Sequence, residues 1–221
     1  MVKPVKEYYN SGELGLEKYY DTNNELHRDD GPAHIYYYIN GNIKREKYFL
    51  HGKRHREHGA AEIYYYEDGS IECQSCYIND KIHREDGPAY IYYYKNGNIK
   101  CEKYFLYGKQ HREKGPAFIE YYEDGNVKYE EYCMNRQLHR ENGPAWIHYY
   151  KNGAKENYYY INGNGLTKEY NNYKNKLSKQ IIEKENDVNV LKIIKIICIE
   201  SNNKELLELV ESKIIMLQLS E

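Results

Sequence analysis

Phenylalanine and tryptophan are nearly missing from this 221-residue chain, with three of one and a single copy of the other. A thick globular core is built largely from such side chains together with leucine and valine. Their scarcity excludes a conventional deep interior and predicts a thin structure. An excess of charge is missing too: 32 lysines and arginines face 34 acidic residues. A dedicated nucleic-acid binder normally carries a clear basic surplus, so no nucleic-acid partner is expected. No run approaches the roughly 18 consecutive apolar residues of a membrane span. Residues 1–10 hold no apolar stretch that would serve as a signal peptide, so a cytoplasmic protein is expected. The five cysteines, Cys73, Cys76, Cys101, Cys133 and Cys198, are odd in number and lack framework spacing, which fits free thiols in a reducing compartment.

What is present is tyrosine, 29 residues of it. Tyrosine favours strands and suits surfaces that are half apolar and half wet. It is distributed by a repeat. His-Arg stands at 27–28, 55–56, 83–84, 111–112 and 139–140, in steps of 28 residues. An acidic residue follows each pair, then a glycine two further on (Gly31, Gly59, Gly87, Gly115, Gly143), then an alanine (Ala33, Ala61, Ala89, Ala117, Ala145). An aromatic strand comes next, closed by Asn-Gly or Asp-Gly. Residues 7–26 read as half a unit, and the fifth unit is one residue short after Gly153. Degenerate end units are expected where an array stops.

Asn-Gly between aromatic and β-branched runs predicts a two-residue type I′ turn, because both central residues need positive φ. Centred on Asn40-Gly41, that turn pairs Tyr37 with Lys44, Tyr36 with Arg45, Ile35 with Glu46 and His34 with Lys47. Alternate residues then sort onto two faces. One face is uniform: Ala33, Ile35 and Tyr37 recur unchanged in all five units. The other varies, reading His34, Glu62, Tyr90, Phe118, Trp146 and Tyr36, Tyr64, Tyr92, Glu120, His148. The expected architecture is mainly β, an elongated single-layer antiparallel sheet of tandem 28-residue hairpins over residues 1–165. A helical segment of two to three helices covers 166–221. Leu166, Tyr170, Tyr173, Leu177 and Ile181 fall at helical spacing. Asp187 is placed to N-cap a helix from Val188 to about Glu200, and a further apolar helix follows Ser201-Asn202-Asn203. This segment is read either as a cap over the last strand edge or as a dimerisation bundle.

Phe49-x-x-Gly52-Lys53-x-His55 and Phe105-x-x-Gly108-Lys109-x-His111 resemble MORN repeats and related antitoxin-type bacterial arrays. The fuller unit, Gly-Lys-x-His-Arg-x-x-Gly-Pro-Ala before a tyrosine-rich strand, is similar to arrays of giant viruses and some bacteria. The resemblance covers about residues 7–164 and implies serial hairpins and non-enzymatic scaffolding. The chain departs from MORN units in carrying His-Arg-x-x-Gly for His-Gly-x-Gly.

His27, Arg28, His55, Arg56, His83, Arg84, His111, Arg112, His139 and Arg140 are read as clamps of their own arches, with Glu46, Glu102 and Glu130 offered as partners. The competing reading is a ladder of cationic phosphate sites. Cys73-x-x-Cys76 lacks a second pair, so no metal is expected, and no cofactor either. No unit holds a unique nucleophile–base set, so an enzyme is not expected. The varying aromatic face, His34, Tyr36, Tyr64, Tyr90, Tyr92, Phe118, Trp146 and His148, is the candidate binding surface for a protein partner. A peripheral membrane module, and a structural protein such as a virion component self-associating through 166–221, are the alternatives.

Overall fold

The computed structural model describes residues 4–174 and 176–219. Twelve strands form one antiparallel sheet in chain order: β1 (Val5–Tyr8), β2 (Leu14–Lys18), β3 (His34–Tyr37), β4 (Ile43–Lys47), β5 (Glu62–Tyr65), β6 (Ile71–Ser75), β7 (Tyr90–Tyr93), β8 (Ile99–Lys103), β9 (Phe118–Tyr121), β10 (Val127–Glu131), β11 (Trp146–Tyr149) and β12 (Lys155–Tyr158). The mainly β array of successive hairpins is therefore the fold. The N-terminal stretch is more than half a unit, since β1 and β2 make a complete hairpin. By packing, the chain divides into two compact units, residues 1–112 with 117–127, and 113–116 with 128–221.

The turns differ from expectation in an instructive way. At Asn40-Gly41 only the glycine has positive φ (+84°), and Tyr38 closes a three-residue loop, donating its N–H to the Asn42 carbonyl at 2.8 Å. Tyr37 therefore faces Ile43, not Lys44. A bulge between Tyr36 and Tyr37 takes up the surplus residue and restores the expected pairs Tyr36–Arg45, Ile35–Glu46 and His34–Lys47. The fifth hairpin has the same loop but no bulge, and its ladder from Tyr149–Lys155 to Trp146–Tyr158 runs unshifted. The residue missing after Gly153 is the bulge residue.

Paired positive φ occurs instead in the arches. Each arch opens with a second, small hairpin, such as Phe49–Leu50 against Lys53–Arg54. Its two central residues, His51 (+45°) and Gly52 (+74°), have the signs a type I′ turn needs. Asn79-Asp80, Tyr107-Gly108, Asn135-Arg136 and Asn162-Gly163 repeat this. Neighbouring small hairpins are joined by backbone hydrogen bonds, with Asp80 N–H on Arg54 O and Gly108 N–H on Ile82 O at 2.9 and 2.8 Å.

In the second unit four helices follow: α1 (Thr167–Tyr173), α2 (Lys179–Lys184), α3 (Val188–Glu200) and α4 (Lys204–Gln218). Asp187 caps α3, accepting from the N–H groups of Asn189 and Val190, and Asn203 caps α4 through Leu206 N–H. The expected single helix across Tyr173 and Ile181 is two, α1 and α2. Ile193, Ile196 and Ile197 of α3 pack with Leu166, Tyr170, Tyr159 and Ile161. The other side of α3, with Leu191, Ile194 and Cys198, meets Ile182 and Val210. The helices are thus joined to the last small hairpin (Tyr160–Ile161 with Asn164–Gly165), while Lys155 and Asn157 of β12 stay exposed.

Candidate functional site

The uniform face is held by hydroxyls. Tyr37 donates to Glu17, Tyr65 to Glu46, Tyr121 to Glu102 and Tyr149 to Glu130 at 2.8–3.2 Å, and Gln74 donates to the Tyr93 oxygen. These carboxylates serve the tyrosines, so their expected pairing with the His-Arg arginines is corrected. The alanines beside them are fully buried, Ala33, Ala61, Ala117 and Ala145 at 0 % exposure.

The arginines do something else. Arg56 lies 3.9 Å over the Tyr48 ring, Arg112 and Arg140 lie 3.8 Å over Tyr104 and Tyr132, and Arg28 lies 4.2 Å over Tyr19. The other side of the plane faces the glycine three residues on, tightly at Gly31 and Gly143 and at ordinary contact distance, 3.6 Å, at Gly59, whose φ of +97° itself favours glycine. A Cβ on Gly31 would stand 3.1 Å from the Arg28 guanidinium carbon, and one on Gly143 would stand 3.2 Å from that of Arg140. Hence His-Arg-x-x-Gly. The guanidinium hydrogens are used locally, Arg28 on Asp30 and Arg84 on Asp86 at 2.8 Å, Arg56 on Ala60 O and Arg140 on Pro144 O. The histidines accept backbone hydrogen bonds from the small turns: His27 from His51 N–H, His83 from Tyr107 N–H, His139 from Asn162 N–H. His55 meets the Asn79 side chain instead. His111 occupies the same place in its own unit.

The varying face is neither bare solvent surface nor a set of free aromatics. His34 is buried, and Tyr36, Tyr64, Tyr90, Tyr92, Phe118, Trp146 and His148 are half-buried. In the first unit the strands between them supply cations. Arg45 lies 5.7 Å over Tyr36 and 4.4 Å over Tyr64, Lys103 lies 5.5 Å over Tyr90 and 5.2 Å over Phe118, and Lys100 lies 4.9 Å over Tyr92. Such contacts contribute roughly 0.5–2 kcal/mol each. Glu62, 4 % exposed, accepts from Arg45 and Tyr64 and lies 3.4 Å from Arg54. Burial would raise its carboxyl, but Arg45 and then Lys47 hold it below the usual range. His34, 8 % exposed, stacks on Tyr36 and leaves Nε2 buried without a hydrogen-bond partner among the described residues. Its pKa is pushed down to about 4, by burial first and then by Lys18 and Lys47.

In the second unit this face changes character. Trp146 meets Tyr129 and Tyr158 edge-to-face, at 5.0 and 4.8 Å. Trp146 Nε1 donates to the Tyr129 hydroxyl, which in turn donates to Glu131. Glu156 accepts from Tyr158 and Tyr150 at 2.6 and 2.8 Å.

The thiols are poor nucleophiles. Burial pushes Cys73 up to about 11 and Cys133 up to about 12, so both stay protonated at neutral pH. All five cysteines are unpaired. One cluster escaped sequence reasoning: Asp21, Glu25 and His51 bring their ligand atoms within 4.8 Å of one another. Asp21 already accepts from Asn23 and Glu25 N–H and meets His51 Nδ1 at 2.8 Å. Thirty residues separate Asp21 from His51, and only the array topology brings them together.

Among the described residues no helix is long and apolar enough to cross a membrane. Comparison with models of known protein families and with curated proteins found no match.

Proposed function

We propose that the protein is a non-enzymatic repeat scaffold that binds a protein partner through the varying face of its sheet. One observation carries this reading. The positions that hold the array together are nearly constant: alanine, isoleucine, the strand tyrosine with a carboxylate partner in four pairs and Gln74 in the other, and the Arg-x-x-Gly clamps. The 34-type and 36-type positions instead range over His, Glu, Tyr, Phe and Trp. Fold maintenance does not require that variety, whereas recognition by aromatic contacts does use it. The resemblance to MORN-like arrays supports the same reading. The commitment of the arch guanidiniums to rings, carbonyls and carboxylates weighs against the phosphate-ladder alternative.

The test is affinity capture from the source cell. Full-length protein is compared with a variant carrying Tyr36→Ser, Tyr92→Ser and Phe118→Ser, and with one carrying lysine at Leu219 and Met216. A partner retained by the second variant and lost by the first supports the reading. A partner retained by the first overturns it. Self-association through the helices is the second reading. It is favoured by the exposure of Ile215, Met216 and Leu219 at 56, 71 and 82 %, and light scattering of the second variant tests it.

A further inference from the structure

Five aromatic rings on the varying face, Tyr36, Tyr64, Tyr90, Tyr92 and Phe118, lie under cations that the chain itself supplies. On β4 the positions nearest the rings hold Arg45 and Lys47, on β6 Cys73 and Ser75, and on β8 Cys101 and Lys103, with Lys100, matched by Lys128 on β10, one residue before. The same positions on β10 and β12 read differently. By register, Tyr129 and Glu156 stand where Arg45 does, and Glu131 and Tyr158 stand where Lys47 and Lys103 do. Beside the largest ring of the face the chain thus places two carboxylates and two further rings, Glu131 and Tyr158 directly across the strands and Tyr129 and Glu156 one pair further on. Among the described residues no lysine or arginine lies over Trp146 or Tyr158.

We propose that Trp146, Tyr129 and Tyr158, rimmed by Glu131 and Glu156, form a site for an arginine side chain presented by a protein partner. The proposal rests on the reading of the varying face as the interaction surface and names the chemistry it recognises at one end. Tyr129 and Tyr158 stand at 85° and 87° to the indole plane, so the three rings present faces in different directions. The π-faces attract a cation by their quadrupole, most strongly at tryptophan. A guanidinium is flat and weakly hydrated, so it stacks on indole while its edge donates to a carboxylate. Glu156 is held ionised by the hydroxyls of Tyr158 and Tyr150 and is ready to accept. His148, paired with Glu156 across the strands and 6.1 Å from Trp146, closes the patch.

Trp146 is the only tryptophan, so its emission reports on this site alone. Full-length protein, excited at the red edge where tyrosine does not absorb, is titrated with acetylated and amidated Gly-Gly-Arg-Gly-Gly. The same peptide with norleucine for arginine is the neutral control. The arginine peptide is expected to change the emission saturably, and the norleucine peptide is not. Glu156→Gln is expected to weaken binding about three- to ten-fold. Glu131→Lys places there the residue type found at the same position of β4 and β8, Lys47 and Lys103, so it is compatible with the fold and is expected to remove the response. Equal responses to the two peptides, or an arginine response unchanged in both variants, would overturn the site. Loss of partner capture in the Tyr36, Tyr92, Phe118 variant is read separately, so the site can fail while the wider reading stands.

Discussion

Arg56 lies flat between the Tyr48 ring and the backbone of Gly59, with one hydrogen donated to Ala60 O. Removing it takes away a partly desolvated cation–π contact and the packing of its stem. Arg56→Ala should therefore lower stability by about 1–3 kcal/mol. Arg56→Lys should recover less than half of that, because an ammonium cannot stack as a plane. Thermal melting monitored by circular dichroism decides it, and equal melting of wild type and Arg56→Ala would refute the clamp. Tyrosine abundance has a related cause, since one ring type serves several tasks. Tyr48-type rings lie under arginines. Tyr65-type hydroxyls reach carboxylates. The hydroxyls of Tyr38 and Tyr66 donate to the carbonyls of Tyr65 and Tyr93 in the next hairpin at 2.7 and 2.9 Å. Tyr66→Phe should cost about 1 kcal/mol, the net worth of one such bond. A phenylalanine-rich chain could fill the same space but could not tie hairpin to hairpin. His34 gives the array a pH dependence. Its pKa in the fold is about 4 against an ordinary 6.5, so the unfolded chain binds the proton more readily. The stabilisation is complete above pH 6.5 and is lost as pH falls towards 4, by up to about 3 kcal/mol. His34→Phe, which copies Phe118, should flatten that part of the stability–pH curve. Parallel curves for the two proteins would show that His34 is not the group responsible.

At the scale of elements, each long hairpin combines a three-residue loop with a one-residue bulge, and the two offsets cancel. Alternation of side chains therefore predicted the pairs from Tyr36 to His34 correctly although the turn type was wrong. Asn-Gly was the misleading signal. It suits a type I′ turn, but Gly alone at the third loop position suits a type I turn with a G1 bulge equally well, and composition does not choose between them. The small hairpins were hidden for a different reason. At Tyr107 the positive-φ position holds a bulky residue that rarely adopts that conformation, and at His51 one that adopts it less often than the glycine or asparagine a turn usually signals. Their rings are compensated by stacking on His27 and His83 at 4.3 and 4.1 Å, a contact 24 residues away in sequence. Asn79, Asn135 and Asn162 were the readable clue. The varying face was legible as a list of residues. Its cations were not read as partners of the rings, because they come from the intervening strands. The helix starts at Asp187 and Asn203 followed from local capping chemistry, while the break between Tyr173 and Ile181 did not. The bulge itself makes a prediction. Deleting Lys44 copies the fifth hairpin and should leave a cooperative fold with nearly unchanged melting. Deleting Tyr36 instead slips the first strand and turns Ala33 and Ile35 to the other face. If the two deletions proved equally damaging, the bulge would not be the adjustable residue.

At the scale of the molecule, a repeat array must end, and the second unit shows how this one does. Tyr159 occupies the position of Tyr48 but has no sixth His-Arg arginine to cover it. The ring of Tyr170 from α1 takes that place, stacked at 3.8 Å and 13°. Leu166 N–H donates to Tyr159 O as His55 N–H donates to Tyr48 O, and Thr167 Oγ1 accepts from Tyr159 N–H. The hydroxyls of Tyr159 and Tyr170 both end on Glu200 of α3. Helix α1 thus imitates the arch of an absent unit, and α3 seals it with isoleucines. The open strand β1 is managed differently: all four of its residues are exposed, and Lys6 and Glu7 put charge on the edge. In arrays whose parts contact only their neighbours, damage stays local. Tyr170→Ala removes a buried aromatic, a change that costs about 3–5 kcal/mol in a core. The loss should fall on the last small hairpin and on α1 and α3. Hydrogen exchange should then accelerate at Tyr159, Ile161 and Leu166, while the amides of β3 to β6 keep their protection. Uniform acceleration through both units would mean that the array melts as one body, and the helices would then be part of a single cooperative core rather than its terminal cap.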